Sequence, residues 1–221
     1  MKIFNIKNYA ICLIITILFA CLRILDPFFI ETARLKGLDY YQNTQEKVKS
    51  ENIAIIEIDE DSLDEYGQWP WKRDLIAQGI IKAYESGAQL VVVPILFAEK
   101  DRLGGDQELI ELLNEAPVII GQSASTKGKG DPVPRGLATI GESLDGWLFD
   151  YPEAIGPVKE LGEVAAGVGM ILTAPELDGV VRRMPLVIQI KGEAYPTIPL
   201  EVIRLFSGEQ SYQAKVSEAG V

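Results

Sequence analysis

The sequence predicts an α/β protein with an N-terminal transmembrane helix followed by a mixed, largely parallel sheet with flanking helices. Two observations predict this fold class. An uncharged apolar stretch lies close to the N-terminus, and residues 53–121 alternate between short β-branched runs and amphipathic helical patterns. Such alternation is typical of parallel strands joined by helices that cover the sheet.

Composition excludes several kinds of site. Of 221 residues, 32 are Asp or Glu and 21 are Lys or Arg, so the formal net charge is -11. An acidic chain of this kind repels phosphate backbones, and we expect no nucleic-acid partner. The chain has no histidine, and its two cysteines, Cys12 and Cys21, both lie in the apolar stretch. Histidine-dependent catalysis, His-ligated zinc and a disulfide framework are therefore excluded, and we expect no metal and no cofactor.

The N-terminal segment has the features of a membrane anchor. Fifteen uncharged residues separate Lys7 from Arg23, and the apolar pattern reaches Leu25 if Arg23 extends its charge to the membrane interface. Positive charge precedes the stretch and the acidic excess follows it. This order places residues 1–7 in the cytoplasm and the bulk of the chain in the periplasm or extracellular space. We favour an uncleaved anchor in the inner or plasma membrane over a cleaved signal peptide, a lipoprotein signal at Cys21 or a buried core helix.

The pattern divides the chain into four parts. We assign residues 1–30 to the cytoplasmic N-terminus and anchor, 31–52 to a juxtamembrane stalk, 53–208 to an extracytoplasmic domain and 209–221 to a tail. Apolar periodicity and Gly or Pro punctuation then predict the elements of the domain. They are a buried strand at 53–58, a short helix at 59–66, a helix at 73–86, strands at 90–93 and 118–120, a helix beginning at 106, an irregular stretch at 122–152, strands at 165–172 and 186–190, and a helix at 199–208.

Two acids after the first predicted strand form a candidate site. Asp59 and Asp61 are expected at the carboxyl end of that strand, where open α/β sheets bind ligands. Two carboxylates at this spacing can ligate a divalent cation. A strand followed by Asp-x-Asp also resembles the nucleophile loop of haloacid-dehalogenase-like phosphatases, but Leu63 stands where that family prefers Thr or Val. We favour the simpler interpretation, in which the acids cap the next helical turn.

Two of the three tryptophans, Trp69 and Trp71, flank a proline directly before a predicted helix. Aromatic faces beside cations such as Arg73 suit a ligand ring or a lipid headgroup region. The simpler interpretation, which we favour, is that both rings cover the end of the sheet while Arg73 pairs with a nearby acid.

Twin arginines follow an Asp-Gly turn near residue 179. The pattern predicts a strand, on which Arg182 and Arg183 point to opposite faces. We expect one of them either to pair with the acids near Asp59 or to remain solvated.

Read in order, these segments resemble the CHASE type 2 domain, the extracellular sensory module associated with cyclases and histidine kinases in bacterial transmembrane receptors. The resemblance covers roughly residues 34–206, and the block IDEDSL…GQWPW is its most specific part. One departure is Pro94, where the family pattern often has Asp. The matching strings are RLKGLD (34–39), IAIIEIDEDSLDEYGQWPWKRDLIAQGI (53–80), GAQLVVVPILFAEKDR (87–102), DQELIELL (106–113), ELGEVAAGVGMILTAPELDGVVRRMPLVI (160–188) and YPTIPLEVIR (195–204).

The resemblance implies a signal-sensing domain that is not an enzyme and that regulates a cyclase or kinase output domain absent from this chain. The expected partners are the membrane and a small-molecule or envelope signal. A homodimer is compatible with a single-span receptor, although no heptad pattern supports it. The alternatives are an envelope-tethered binding or assembly module and an Asp-dependent phosphohydrolase. Our candidate ligand-binding residues are Asp59, Asp61, Trp69, Trp71, Arg73 and Arg182.

Overall fold

A computed structural model of the chain describes residues 6–127, 131–134, 137–141, 146–172 and 175–217. The chain forms two compact units. The first contains Met1–Ile56 and Pro175–Arg182, and the second contains Glu57–Ala174 and Arg183–Val221.

The first unit is built on two helices, α1 (Ile6–Leu25) and α2 (Phe28–Thr44). Pro27 separates them, because a proline has no N–H group with which to continue the hydrogen bonding of α1. Most large apolar side chains of α1 are exposed, and among these the exposed fraction runs from 47% for Ile15 to 82% for Ile24. Taken one at a time, the helices in the described part of the chain fall short of a membrane crossing in length or apolar content, whereas Tyr9–Leu25 and Phe28–Thr44, bent by 78°, reach it as a pair.

The second unit is a mixed α/β structure. Its elements are α3 (Glu60–Tyr66), α4 (Arg73–Glu85), β1 (Val91–Leu96), α5 (Asp106–Glu115), β2 (Val118–Ser125), β3 (Leu137–Gly141), β4 (Asp150–Tyr151), β5 (Glu153–Ile155), α6 (Lys159–Val164), β6 (Gly167–Met170), β7 (Val187–Ile190), β8 (Glu193–Pro196), α7 (Ile198–Ser207) and β9 (Tyr212–Val216). β2 lies between β1 and β6, which are both parallel to it, and β5 adds antiparallel to the end of β2. The strands β4, β7 and β8 form a second sheet, and β3 pairs with β9.

The main core lies between the β1–β2–β6 sheet and the helices that connect its strands. The register places Ile120 of β2 opposite Val93 on one side and Val168 on the other. β2 is buried over almost its whole length, as expected for the central strand of a covered parallel sheet. The buried side chains of this core are Ala77, Ile80, Val93, Phe97, Leu109, Leu113, Val118, Ile120, Leu161, Ala165 and Val168.

Most of the predicted elements are confirmed. The helices predicted at 59–66, 73–86, 106 and 199–208 are α3, α4, α5 and α7, and the strands predicted at 90–93, 118–120, 165–172 and 186–190 are β1, β2, β6 and β7. Each of these predictions rested on a local signal, either a periodic apolar face or a Gly or Pro at a boundary.

The predicted strand at 53–58 is wrong. These residues form no strand, and Ile53, Ile55 and Ile56 are 73%, 90% and 73% exposed. Apolar and β-branched composition favours a strand only where a neighbouring strand offers hydrogen bonds. Among the described residues, β1 pairs with β2 alone, and its Pro94 lies where the register with β2 shifts. A proline without an N–H group is typical of an edge strand.

The irregular stretch predicted at 122–152 is also partly wrong. β2 continues to Ser125, and β3 and β4 lie within the stretch. β3 pairs in parallel with β9, which falls in the segment expected as a tail. Local composition cannot show a pairing between segments so far apart in sequence. Residues 128–130, 135–136 and 142–145, which belong to the predicted stretch, lie outside the described residues.

Candidate functional site

A pocket of about 930 Å³ lies at the carboxyl ends of β1 and β6 in the second unit. Its walls are the end of β1 at Pro94–Leu96, the loop 97–103, Ile171 directly after β6, the loop Trp69–Trp71, and the first turns of α4. Ligands of open α/β sheets bind at this edge of the sheet. The volume lies at the upper end of the roughly 300–1,000 Å³ found for small-molecule sites.

The two tryptophans form one wall of the pocket. The Trp71 indole N–H donates to the Gly67 carbonyl at 2.6 Å, which fixes this ring against the end of α3. The Trp69 ring packs edge-on against Trp71 with centroids 5.9 Å apart, and Tyr66 contacts Trp71 on another side at 5.6 Å. The Trp69–Pro70 peptide bond is cis. Trp71 is therefore held by its neighbours, while Trp69, 41% exposed, is the more accessible ring.

Arg73 belongs to the frame of the pocket. Its side chain is 8% exposed and donates to the Asp106 carboxylate and to the Glu99 carbonyl. Its guanidinium lies over the Phe97 ring, 5.1 Å from the centroid. Its backbone N–H donates to Asp101 at 2.8 Å. The prediction that Arg73 pairs with a nearby acid is thus confirmed, and the pair joins the start of α4 to the start of α5.

Besides Arg73, four charged residues line the pocket, two acidic and two basic: Glu99, Lys100, Asp101 and Arg102. Asp101 accepts hydrogen bonds from the backbone of Arg73 and of Leu103 at 2.8 and 2.9 Å. Lys100 pairs with Glu160 at 3.2 Å. The rest of the lining is mostly apolar or aromatic: Trp69, Pro70, Trp71, Ile76, Pro94, Ile95, Leu96, Phe97, Ala98, Leu103 and Ile171.

Asp59 and Asp61 do not line this pocket. Asp59 caps α3, and one of its oxygens accepts from the Ser62 backbone at 3.0 Å and from the Ser62 hydroxyl at 2.6 Å. These hydrogen bonds lower the pKa of Asp59 below its ordinary value. Asp61 is exposed in the first turn of α3. Within the described ranges, no three acids or cysteines are grouped to hold a metal ion. The geometry is that of helix capping.

Arg182 lies in the first unit and makes a different contact from the one predicted. It pairs with Asp39 of α2, and with Glu176 and Asp178 of its own loop, and not with the acids near Asp59. The predicted strand around Arg182 is absent. Instead, the loop closes on itself through a bond from the Gly179 N–H to the Glu176 carbonyl at 2.9 Å, because Asp-Gly favours a turn.

Sequence analysis missed several residues that shape the pocket. Phe97, Asp101 and Ile171 lie within strings that match the family but were not selected as candidate site residues, and Asp106 was expected only as the start of a helix. A buried arginine requires a carboxylate, so the acids between residues 99 and 106 were a usable signal once Arg73 was placed inside.

One of three comparisons with known proteins identifies a family. Neither the curated proteins nor the solved structures contain a significant match to the chain. The family model of the CHASE2 domain matches residues 12–219, nearly the whole sequence. The chain therefore belongs to the CHASE2 family of extracellular sensory domains.

Proposed function

We propose that this chain is the extracytoplasmic sensor of a bacterial transmembrane receptor and that it binds a small, uncharged aromatic or apolar molecule in the pocket at Trp69 and Trp71. The observation that carries the proposal is the position of that pocket, at the carboxyl ends of parallel strands and beside two adjacent indole rings. Binding there would shift the balance between two conformations of the receptor, and a cyclase or kinase domain beyond this chain would respond.

The anchor is supported by the surface of α1. Its apolar side chains cover the helix on every side, and most are more than half exposed, such as Leu13 at 62% and Phe19 at 67%. An apolar surface of this extent requires a non-aqueous environment. α2 carries Glu31, Arg34 and Asp39, which suits a juxtamembrane stalk outside the bilayer.

The ligand class follows from the charges around the pocket. Arg73 and Asp101 are engaged by the protein itself, and Lys100 is paired with Glu160. The remaining charges of the lining, on Glu99 and Arg102, are exposed and opposite in sign. A charged ligand would leave water for a mostly apolar lining in which no buried charged side chain is left to pair with it, which is unfavourable. The indoles instead offer ring faces and edges for stacking. Pro94 strengthens this preference, because the family resemblance implies an Asp carboxylate at the same point of the wall.

The test is a titration of the full chain in lipid nanodiscs with N-phenyl-1-naphthylamine, a neutral aromatic probe. Probe emission is corrected with empty nanodiscs. We expect Trp69→Leu to weaken binding by about tenfold, because one aromatic contact contributes on the order of 1 kcal/mol or more. Trp147→Leu is the matched control, since Trp147 is 47% exposed and does not line the pocket. Equal binding by parent and both variants would reject the pocket and favour an envelope-tethered assembly module.

Topology needs its own experiment. An alkaline phosphatase reporter fused after residue 60 is expected to be active, because the enzyme works only when it is exported. A fusion with equal expression but no activity would contradict the extracytoplasmic assignment.

A further inference from the structure

One arginine in the first unit is surrounded by three carboxylates. The side chain of Arg182 is 6% exposed. Its Nε and Nη2 donate to the two oxygens of Asp39 at 2.7 and 2.6 Å. Its Nη1 and Nη2 donate to the two oxygens of Asp178 at 2.9 and 2.7 Å, and Nη1 also donates to Glu176 at 3.0 Å. These bonds use all five N–H groups of a guanidinium.

The number of N–H donors limits which partners Arg182 can bind. With each N–H already directed at a carboxylate of the chain, the guanidinium has no donor left for a ligand. Two of the acids belong to its own loop, whereas Asp39 lies on α2, 143 residues away in sequence. Paired, nearly planar contacts of this kind require the fork of an arginine, and a lysine cannot reproduce them.

The face of α2 that meets this arginine is also the buried face. Leu35 is 2% exposed and is the buried residue of α2. It lies four positions before Asp39, so both side chains are on the same side of the helix. The loop in turn is held in shape by the bond from the Glu176 N–H to the Val180 carbonyl at 3.0 Å and by the Val180 N–H, which donates to Asp178 at 3.2 Å.

We infer that Arg182 is a positioning residue that fastens the loop 175–182 to the stalk helix α2, so that the loop and the stalk move as one body. The chain continues from Arg182 through Met184 into β7. The stalk therefore has a second connection to the sensor domain, besides the direct one through residues 45–56. The attachment itself is independent of the proposed function. Only the statement that a signal passes along the stalk rests on that function.

Hydrogen exchange of the full chain in nanodiscs tests the attachment without any ligand. We expect Asp39→Asn and Arg182→Lys each to accelerate exchange at Gly179 and Val180 by about tenfold or more, because each removes charge-assisted hydrogen bonds that hold the loop closed. Asp64→Asn, at an exposed position of α3, is the matched control and should leave the loop unchanged. The double variant should exchange no faster than the faster single variant, because the bonds that Asp39→Asn removes are among those that Arg182→Lys removes.

A distance measurement tests whether the two segments move together. In a background with Cys12 and Cys21 replaced by Ser, spin labels are placed at Tyr40→Cys on α2 and Leu177→Cys on the loop, both at exposed positions. The parent should give a narrow distance distribution, and Asp39→Asn should broaden it.

The outcomes separate local attachment from general instability. Faster loop exchange with an unchanged unfolding midpoint and unchanged exchange in β2 supports the inference. Unchanged loop exchange, or acceleration spread evenly through the whole chain, would overturn it. Neither measurement uses the aromatic probe. The titration therefore tests only the pocket, and hydrogen exchange and the spin-label distances test only the attachment of the loop to α2.

Discussion

Replacing Gly105 by alanine should destabilise the protein and distort the pocket, although Gly105 does not line it. Gly105 directly precedes α5 and has φ +98° and ψ 1°, in the left-handed region. A Cβ atom at this position would lie 2.5 Å from the backbone nitrogen of Asp74 and 3.2 Å from backbone atoms of Arg73. Backbone atoms cannot rotate away as the end of a side chain can. The first turn of α4 must therefore move, and with it Arg73 and the wall of the pocket.

The size of the effect follows from two separable costs. An L-residue in the left-handed conformation costs roughly 1–2 kcal/mol, and forcing packed atoms apart costs roughly 1–3 kcal/mol. Together they predict a loss of about 2–5 kcal/mol in the free energy of unfolding. Gly208 provides the matched control, because its φ of +69° and ψ of 15° are also left-handed and nothing lies within 4 Å of its Cβ position. Gly208→Ala should incur only the first cost.

Urea unfolding followed by tryptophan emission measures both variants, since Trp69 and Trp71 adjoin the start of α4. We expect Gly105→Ala to unfold at a clearly lower urea concentration than Gly208→Ala and to bind N-phenyl-1-naphthylamine more weakly. If the two variants unfold at the same midpoint, the close approach of α5 to α4 does not exist as described and the reasoning fails.

Three further predictions concern the core and the ionisable groups. Leu109→Ala, at a position 0% exposed in the main core, should lower the free energy of unfolding by about 2–5 kcal/mol in urea titrations. Arg182 lowers the pKa of Asp178 to about 2, so the slow exchange of the loop 175–182 should persist as pH falls from 7 to 4 and be lost only as pH approaches 2, as pH-dependent exchange corrected for intrinsic rates would show. Burial, with a smaller effect of Glu193, raises the pKa of Tyr195 from 10.0 to about 12. The stability that this tyrosine contributes should therefore decline as pH rises from about 10 through about 12, and unfolding midpoints of Tyr195→Phe should depend less on pH in that range.

Local sequence patterns were sufficient to predict most helices and strands of the second unit. The apolar face of α4, including Ala77 and Ile80, repeats with the helical period, and a glycine follows its end. The run at 118–120 lies between a proline and polar residues and proved to be the central strand. In both cases the periodicity and the tertiary burial agree, so a local signal gave the correct element.

The same rule failed where a neighbour decides the structure. Residues 53–58 are as apolar and β-branched as β1, yet they form no strand and are exposed. β9 has a weaker local pattern but is a strand, because β3 pairs with it. Strand formation depends on hydrogen bonds to another strand, and the sequence of one segment does not contain that information.

Candidates chosen for their side-chain chemistry proved to line the pocket, whereas candidates chosen for their place after a predicted strand did not. Trp69, Trp71 and Arg73 were selected because aromatic rings beside a cation suit a ligand, and all three line the pocket. Asp59 and Asp61 were selected because they should follow a strand, and without that strand they lie elsewhere. An expectation that depends on an intermediate structural step fails when that step fails.

The two arginines among the candidates lead to a single conclusion about the ligand. The side chains of Arg73 and Arg182 are 8% and 6% exposed, and both pair with carboxylates of the chain itself, Asp106 in the first case and three acids in the second. In a chain with 32 acids and 21 bases, an arginine removed from water readily finds an internal carboxylate, and it needs one because an unpaired buried charge is strongly unfavourable. The two candidate arginines therefore stabilise the fold, and under the proposed function recognition in the pocket depends on the indole rings. A sensor built this way should discriminate ligands by shape and aromatic character, and should bind a neutral aromatic probe more tightly than a sulfonated analogue of the same size.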